Sequence, residues 1–361
     1  MSQQVPVKVC ILVESLSRGG AEKAAAILSR SLVSNGYEVL IISFKDEIDY
    51  KYSGDLLNLG LKNSKWRRFK QAQKFYKLKK GLKIFNADVV IDFRTRSRVF
   101  MEAMLHMFVF PKKRMIFTIH SSNIDWHIPK GILFNYYYRL GKIVGVSKEI
   151  CAVLKSKYSF EMVYHIPNSI DFESIFKSSQ ERLTQKGDFI VAVGRLYNEI
   201  KQFDKLIEVY AKSNLVRKRI KLIILGDGPD KNELIKQVEK LNLKEYVIFT
   251  GFIKNPYMYM KRAKFQVLSS KLEGFPLVIL ESLALGTPVV SFDCETGPSE
   301  MIRSGSNGFL VENQNFEKLR EVMEKLIENQ DLLEQFSFQA QKSIGNYRME
   351  ENFKLWKQVL D

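Results

Sequence analysis

Apolar runs of strand length, rich in Val and Ile, recur along this chain and alternate with longer stretches of helical period. In the first half they are VKVCILV (7–13), YEVLIISF (37–44), ADVVIDF (87–93), RMIFTIH (114–120), KIVGVS (142–147) and MVYHIPN (162–168). Helical stretches begin near Gly20, Ser64, Arg96, Lys130 and Lys148. Continuous β-branched strands with helices between them specify a parallel sheet covered on both faces. The pattern then restarts with DFIVAVGR (188–195), KLIILGDG (221–228), VIFTGF (247–252), FQVLSS (265–270), PVVSF (288–292) and GFLV (308–311). Residues 171–187 between the two series are polar and broken, which reads as a linker. At 361 residues the chain exceeds what one hydrophobic core usually fills. The expectation is an α/β protein of two doubly wound domains, residues 1–175 and 176–344. The last stretch, about 345–361, is expected to pack back on the first domain. Ligands of such sheets bind outside the carboxyl ends of the strands. The crevice between the two domains is therefore the expected site.

Within the second series, the stretch EGFPLVILE (273–281) sets Glu273 and Glu281 on either side of seven uncharged residues. Acids seldom flank an apolar run unless something holds them there. FQVLSS is a strand and KLEGF the turn off its end. Pro276 suits a first helical position, Leu277 to Leu285 form a short apolar helix, and Gly286 stops it. Glu273 then stands on the loop before the helix, and Glu281 lies roughly 7 Å along its axis. The free amides of the first turn, near Leu277 and Val278, favour an anion. An elongated ligand with hydroxyls at each end and phosphate in the middle fits that order, and a nucleotide-sugar has it.

The net charge of +16 is concentrated in one half. Residues 1–180 carry 29 Lys and Arg against 15 Asp and Glu, and residues 181–361 carry 27 against 25. The first half is built for an anionic partner, nucleic acid or an anionic membrane leaflet. Much of the excess lies in KNSKWRRFKQAQKFYKLKKGLK (62–83), with no acid between Asp55 and Asp88. Trp66, Phe69, Ala72 and Tyr76 recur there at helical spacing, as do Phe75, Leu78 and Leu82. A basic amphipathic helix with aromatic residues reads as membrane-surface binding, and Lys112, Lys113 and Arg114 add to the charge. The same cations would also suit a diphosphate group. The opening residues read as a strand rather than as a signal peptide, and no apolar stretch is long enough to span a bilayer. The expected location is cytoplasmic, peripheral on the inner face of the membrane. Cys10, Cys151 and Cys294 show no ligand spacing and read as core residues. His106, His127 and His165 have no partner spacing for a metal either.

The ordered motifs resemble the retaining glycosyltransferases of family four, which have the GT-B fold: two Rossmann-like domains facing each other across a cleft. EGFPLVILE resembles that family's paired-glutamate motif, and SLSRGGAEKAA (15–25) its first glycine loop. VGRLYNEIKQFDKLI (193–207), ILGDGPDKNEL (224–234), FTGFIKN (249–255), GTPVVSFDCETGPSEMI (286–302) and GSNGFLV (305–311) follow in the family's order. The resemblance implies that Arg195 and Lys201 hold the donor diphosphate. It implies that Glu273 binds donor-sugar hydroxyls, Glu281 the ribose, and His120 the sugar. Gly19 and Gly20 come to the donor side, and Phe252, Ile253, Gly274, Phe275, Leu277 and Val278 line the donor site. It implies no bound metal and no cofactor beyond the nucleotide-sugar co-substrate, a UDP-sugar by the TGPSEMI element (296–302). The leaving phosphate, rather than Glu273, would deprotonate the acceptor, a lipid-linked or lipopolysaccharide-type saccharide. Two other readings stay open. One is a GT-B enzyme of another reaction type, such as a nucleotide-sugar epimerase or a soluble glucan or sucrose synthase. The other is a basic nucleic-acid-binding protein, which no RNA- or DNA-binding motif supports.

Overall fold

The first Val/Ile-rich run forms β1 (Lys8–Val13), whose last five residues are buried on both faces. This computed structural model describes residues 6–60, 67–110 and 114–360. They divide into two compact units, Met1–Ile170 with Met349–Asp361, and Asp171–Arg348.

In the first unit β1 is followed by α1 (Gly20–Ser34), β2 (Glu38–Ser43), β3 (Asp55–Asn58), α2 (Arg67–Phe85) and β4 (Val89–Asp92). Then come α3 (Val99–Phe108), β5 (Met115–Ile119), α4 (Ile132–Arg139), β6 (Lys142–Gly145), α5 (Lys148–Ser156) and β7 (Val163–His165). The strands pair in parallel in the order β3-β2-β1-β4-β5-β6-β7. β3 is the strand that periodicity does not show. It is a half-buried edge strand of four residues, reached from β2 without a helix. Right-handed crossovers place α1 on one face of the sheet and α2 to α5 on the other.

The second unit opens with α6 (Phe172–Ser178), where the sequence suggested only a linker. Asp171 caps it by accepting from the Ser174 amide. A cap of this kind organises a short polar segment that carries little apolar periodicity. There follow β8 (Phe189–Val193), α7 (Asn198–Lys201), α8 (Phe203–Lys212), β9 (Lys221–Leu225), α9 (Lys231–Lys240), β10 (Val247–Gly251) and α10 (Tyr257–Arg262). The chain continues through β11 (Gln266–Leu268), α11 (Leu277–Ala284), β12 (Val289–Asp293), α12 (Pro298–Met301), β13 (Gly308–Glu312), α13 (Phe316–Glu328) and α14 (Gln330–Ser343). These strands are also parallel, in the order β10-β9-β8-β11-β12-β13. Each sheet therefore has a switch point where the winding reverses, between β1 and β4 in one unit and between β8 and β11 in the other.

The last helix, α15 (Met349–Leu360), returns to the first unit. Its Phe353, Trp356, Val359 and Leu360 are buried in the cluster that joins α1 to β1, β2 and β4. Each such side chain is worth ~1.5–3 kcal/mol on burial. Lys142 at the start of β6 donates to the carbonyl of Val359 at 2.6 Å.

In α2 the inner face is Leu78 and Leu82, both buried, with Phe75 half-buried beside them. Tyr76 and Ile84 are exposed, as are Lys77, Lys79, Lys80 and Lys83. Of the two aromatic-apolar stripes in the sequence, Phe75-Leu78-Leu82 is thus core, and Ala72 and Tyr76 face outward. Trp66, Lys62, Lys65, Lys112 and Lys113 lie outside the described residues. No described helix is long and apolar enough to cross a membrane.

Candidate functional site

At the switch point of the second unit, the loops leaving β8 and β11 run side by side. Lys271 donates its amide to the carbonyl of Ile200 at 2.8 Å, and the Ser269 hydroxyl donates to the carbonyl of Lys201 at 2.8 Å. α7 is one turn long and ends at Lys201, because Gln202 turns left-handed at φ 52° before α8 begins. This turn and the bonded loops bring Lys201 Nζ to 2.5 Å from Glu273 Oε1. The Lys201 side chain is 21% exposed and that of Glu273 10% exposed, so the pair is mostly withdrawn from water but open on one side.

Glycines allow the neighbouring loops to close around this pair. A Cβ on Gly226 would stand 1.9 Å from the carbonyl oxygen of Gly194, and one on Gly228 would stand 2.2 Å from that of Leu196. The GDG turn after β9 therefore presses backbone to backbone on the turn after β8, where only glycine fits. The Thr296 hydroxyl donates to the Glu273 carbonyl, tying the loop after β12 to the loop after β11.

α11 runs from Leu277 to Ala284, with Pro276 at its N-cap rather than one position further in. Gly286 at φ +77° ends it, the Thr287 amide donating to Ser282 and the Gly286 amide to Leu283. That is the glycine-terminated hydrogen-bond pair expected from LALGTP. Glu281 is in the second turn, 3% exposed. Gly274, Phe275 and Leu277 are buried and Val278 is half-buried. Phe275 packs at 5.8 Å against Tyr347, whose hydroxyl donates to the Glu300 carbonyl. Arg195 is exposed on the loop after β8, its side chain making no ion pair or hydrogen bond with a described residue. Phe252 and Ile253 follow β10, the edge strand two positions from β8, whose Gly251 carbonyl accepts from the Gly226 amide in the turn after β9. An ammonium and a carboxylate thus meet at this switch point, with Arg195 on the loop after β8 and the amide end of α11 following the loop after β11.

In the first unit, Gly19 and Gly20 end the loop after β1 and start α1, and Arg18 before them adopts φ +59°. His120 follows β5. Its Nε2 is 3.0 Å from the Thr118 hydroxyl, and its ring stacks on Phe93 at 5.1 Å. Burial first, and then the Arg96 guanidinium, push His120 down to about 3, so the imidazole is neutral at physiological pH. His120 and the Gly19–Gly20 loop stand at the carboxyl ends of different strands, β5 and β1, with β4 between them.

Sequence reasoning missed what lies beneath His120. Arg96 is fully buried and donates to four carbonyls: His127 at 2.7 Å, Thr118 and Asp92 at 2.9 Å, and Arg94 at 3.0 Å. Arg94, 3% exposed, makes paired hydrogen bonds to Asp92 and to Glu102. The two guanidinium groups hold the Asp92 carboxyl low against the cost of burial, whereas burial raises Glu102. His106 is pushed down to about 4 by burial, and His127 well below its usual value by burial and Arg96. The signal was the DFRTR stretch at a strand end (92–96), where two cations sit between apolar segments. Cys10, Cys151 and Cys294 are all buried, and none of them forms a disulfide. Among the described residues no three His, Cys, Asp or Glu side chains converge at metal-holding distance.

Comparison with known proteins agrees with this fold. Residues 173–343 match the family described as Glycosyl transferases group 1, and residues 18–174 match Glycosyltransferase Family 4. A Campylobacter jejuni N-acetylgalactosamine-N,N'-diacetylbacillosaminyl-diphospho-undecaprenol 4-alpha-N-acetylgalactosaminyltransferase is 30% identical over 353 residues, 92% of this chain and 93% of that protein. The amylovoran biosynthesis glycosyltransferase AmsD of Erwinia amylovora is 26% identical over 359 residues, covering 98% of this chain and 99% of its own. Among solved structures, TarM of S. aureus, crystallised with UDP, superposes with a TM-score of 0.77 at 15% identity, over 98% of this chain and 100% of that one. Anabaena HepE with UDP and glucose gives a TM-score of 0.77 at 17% identity, over 98% and 99% of the two chains. Both share the GT-B architecture of two Rossmann-like units. From its amino-terminal family-four half to its group-one carboxyl-terminal half, this chain belongs to the GT-B glycosyltransferases.

Proposed function

We propose that the chain is a retaining glycosyltransferase that moves a sugar from a UDP-sugar to a lipid-linked or lipopolysaccharide-type saccharide. The observation that carries the donor half is the Lys201–Glu273 contact at the β8/β11 switch point, beside the amide end of α11. In this reading Lys201 and Arg195 bind the diphosphate, Arg195 as a planar fork and Lys201 as a point charge. They neutralise the charge that grows on the departing nucleotide. Glu273 accepts from sugar hydroxyls, and Glu281 from the ribose. The donor diphosphate competes with Glu273 for Lys201 and releases the carboxylate toward the sugar. His120, neutral, binds a sugar hydroxyl. The leaving phosphate takes the acceptor proton on the face it departs from, which retains the anomeric configuration. No metal is assigned a part.

The acceptor half rests on the relatives and on surface charge. The Campylobacter relative is named for an undecaprenol-diphosphate-linked saccharide. In the present chain, α2 and α3 share one sheet face by the handedness of their crossovers. α2 exposes Lys77, Lys79, Lys80 and Lys83, and α3 exposes Val99, Phe100, Met107 and Phe108. Cations beside exposed apolar side chains suit an anionic membrane surface, at about 1 kcal/mol per cation.

A thermal-shift panel of UDP-, GDP-, ADP- and dTDP-sugars tests the donor, because a ligand that binds the folded state raises its melting temperature. Incubation of the stabilising donor with undecaprenyl-diphosphate-linked saccharides, and NMR of the new glycosidic bond, tests transfer and retention. An inverted anomer would sink the retaining mechanism. Release of an epimerised sugar without acceptor would favour the epimerase reading, and loss of transfer in EDTA would restore a metal to the chemistry.

A further inference from the structure

His120 is oriented by two independent sets of contacts, and one of them reaches the end of the chain. Thr118 Oγ1 donates its single proton to the Asp92 carbonyl at 3.0 Å. It therefore accepts from His120 Nε2, 3.0 Å away, which places the ring proton on that nitrogen. One hydrogen bond leaves the plane of the ring free to turn about it. The second torsion of a histidine side chain is broad, so the plane must be held from outside.

Stacking supplies that hold. The Phe93 ring lies 5.1 Å from the imidazole and 28° from parallel to it. Behind Phe93 lies Trp356, with ring centroids 6.3 Å apart and planes 27° apart. Phe93 and Trp356 are each 5% exposed. One turn earlier on α15, the buried Asn352 donates from Nδ2 to the Pro167 carbonyl at 2.6 Å, in the loop after β7. Phe93, His120, Asn168, Asn352 and Trp356 border one small cavity. The carboxyl-terminal helix thus grips the β4 and β7 strand ends on either side of β5, which carries His120.

We propose that Trp356 is a positioning residue for the transfer reaction. Acting through Phe93, it sets the plane in which the His120 imidazole meets the donor sugar, so that α15 is a brace for the site as well as a part of the core. The proposal rests on the reading of His120 given above. It concerns a ring that touches no substrate and acts by fixing another.

The test uses the full chain and UDP release from the most rapidly turned over of UDP-glucose, UDP-galactose, UDP-N-acetylglucosamine and UDP-N-acetylgalactosamine. Trp356→Ala is expected to lower kcat about tenfold or more, since small misplacements of a positioned group have effects of that order. KM should stay within about twofold, and Trp356→Phe, which keeps an aromatic face, should recover most of the loss. Phe93→Leu removes the middle ring while leaving α15 its aliphatic contacts, and it should reproduce the kcat defect. It carries the test if Trp356→Ala fails to fold. In a His120→Ala background, Trp356→Ala or Phe93→Leu should cost nothing further, because both act through the missing imidazole. Losses that multiply with that of His120→Ala would overturn the proposal. So would a folded Trp356→Ala or Phe93→Leu enzyme with wild-type kcat. Wild-type turnover by His120→Ala would instead reject the role of His120 itself, and the brace with it.

Discussion

Lys201 and Glu273, 72 residues apart in sequence, place an ammonium and a carboxylate 2.5 Å apart at the point where the second sheet reverses its winding. Neither lies in a strand or in a long helix. Each follows one of two neighbouring strands, Lys201 at the end of the one-turn α7 and Glu273 in the loop before α11, and the two segments are bonded to each other through Lys271 and Ser269. A ligand entering there meets a cation that is already partly desolvated, where charge–charge contacts are stronger than in water.

Glu281 is predicted to be a donor-binding residue. Glu281→Gln keeps the shape of the 3% exposed side chain but removes its charge. Hydrogen bonds to charged groups contribute about 1.5–3 kcal/mol. UDP affinity measured by calorimetry should therefore fall about tenfold or more, with little change in melting temperature. Unchanged affinity would remove Glu281 from the ribose site.

Arg96 is predicted to be a structural residue of the first unit. It satisfies four carbonyls from the loops around β4 and β5. Arg96→Met would leave them without their donor and Asp92 with one cation fewer. A loss of about 3–5 kcal/mol is expected, as for breaking a buried charged network. Urea unfolding of the variant measures it, and a loss below about 1 kcal/mol would contradict the account.

Stability should fall on acidification between pH 6.5 and about 4. Unfolded histidines titrate near 6.5, whereas folded His106 and His120 are held near 4 and 3, and His127 well below its usual value. In that window the unfolded chain binds protons that the folded chain does not. Each such histidine costs about 1.4 kcal/mol per pH unit. The lowered Asp92 acts in the same sense as pH drops further, and the raised Glu102 opposes it. Urea unfolding at pH 7.5, 6.5, 5.5 and 4.5 should show the decline, and His106→Phe should reduce its slope. A flat profile would show that these groups are not held neutral by burial.

Membrane association should need both exposed faces of the first unit. Replacing Lys79 and Lys80 by Gln, or Phe100 and Phe108 by Ser, should each lower flotation with anionic liposomes, and salt should affect only the lysine-dependent part. Undiminished flotation of the combined variant would exclude this surface.

Each Val/Ile-rich run in the sequence is a strand of the structure, because a strand buried on both faces must be apolar along its length. β3 escaped because Asp55–Asn58 is short, half-buried and at an edge, and α6 because its start is fixed by the Asp171 cap rather than by a hydrophobic stripe. Glu273 and Glu281 stood out as two acids around an apolar helix. The contact between Glu273 and Lys201 could not be read, because it depends on β8 and β11 being neighbours. The buried Arg94 and Arg96 were hidden for a similar reason: their partners are carbonyls and acids brought in by sheet order. Trp356 looked like one more apolar residue of a terminal helix, and its relation to His120 appears only once α15 is packed on the first sheet.

The central claim is that the β8/β11 switch point holds the diphosphate of a nucleotide-sugar. Calorimetric titration of UDP into the wild type, Lys201→Ala and Arg195→Ala tests it most directly. The account predicts saturable binding by the wild type and affinities about ten- to a hundredfold weaker in each variant, the loss of one charged hydrogen bond. Wild-type affinity in folded Lys201→Ala and Arg195→Ala would contradict it.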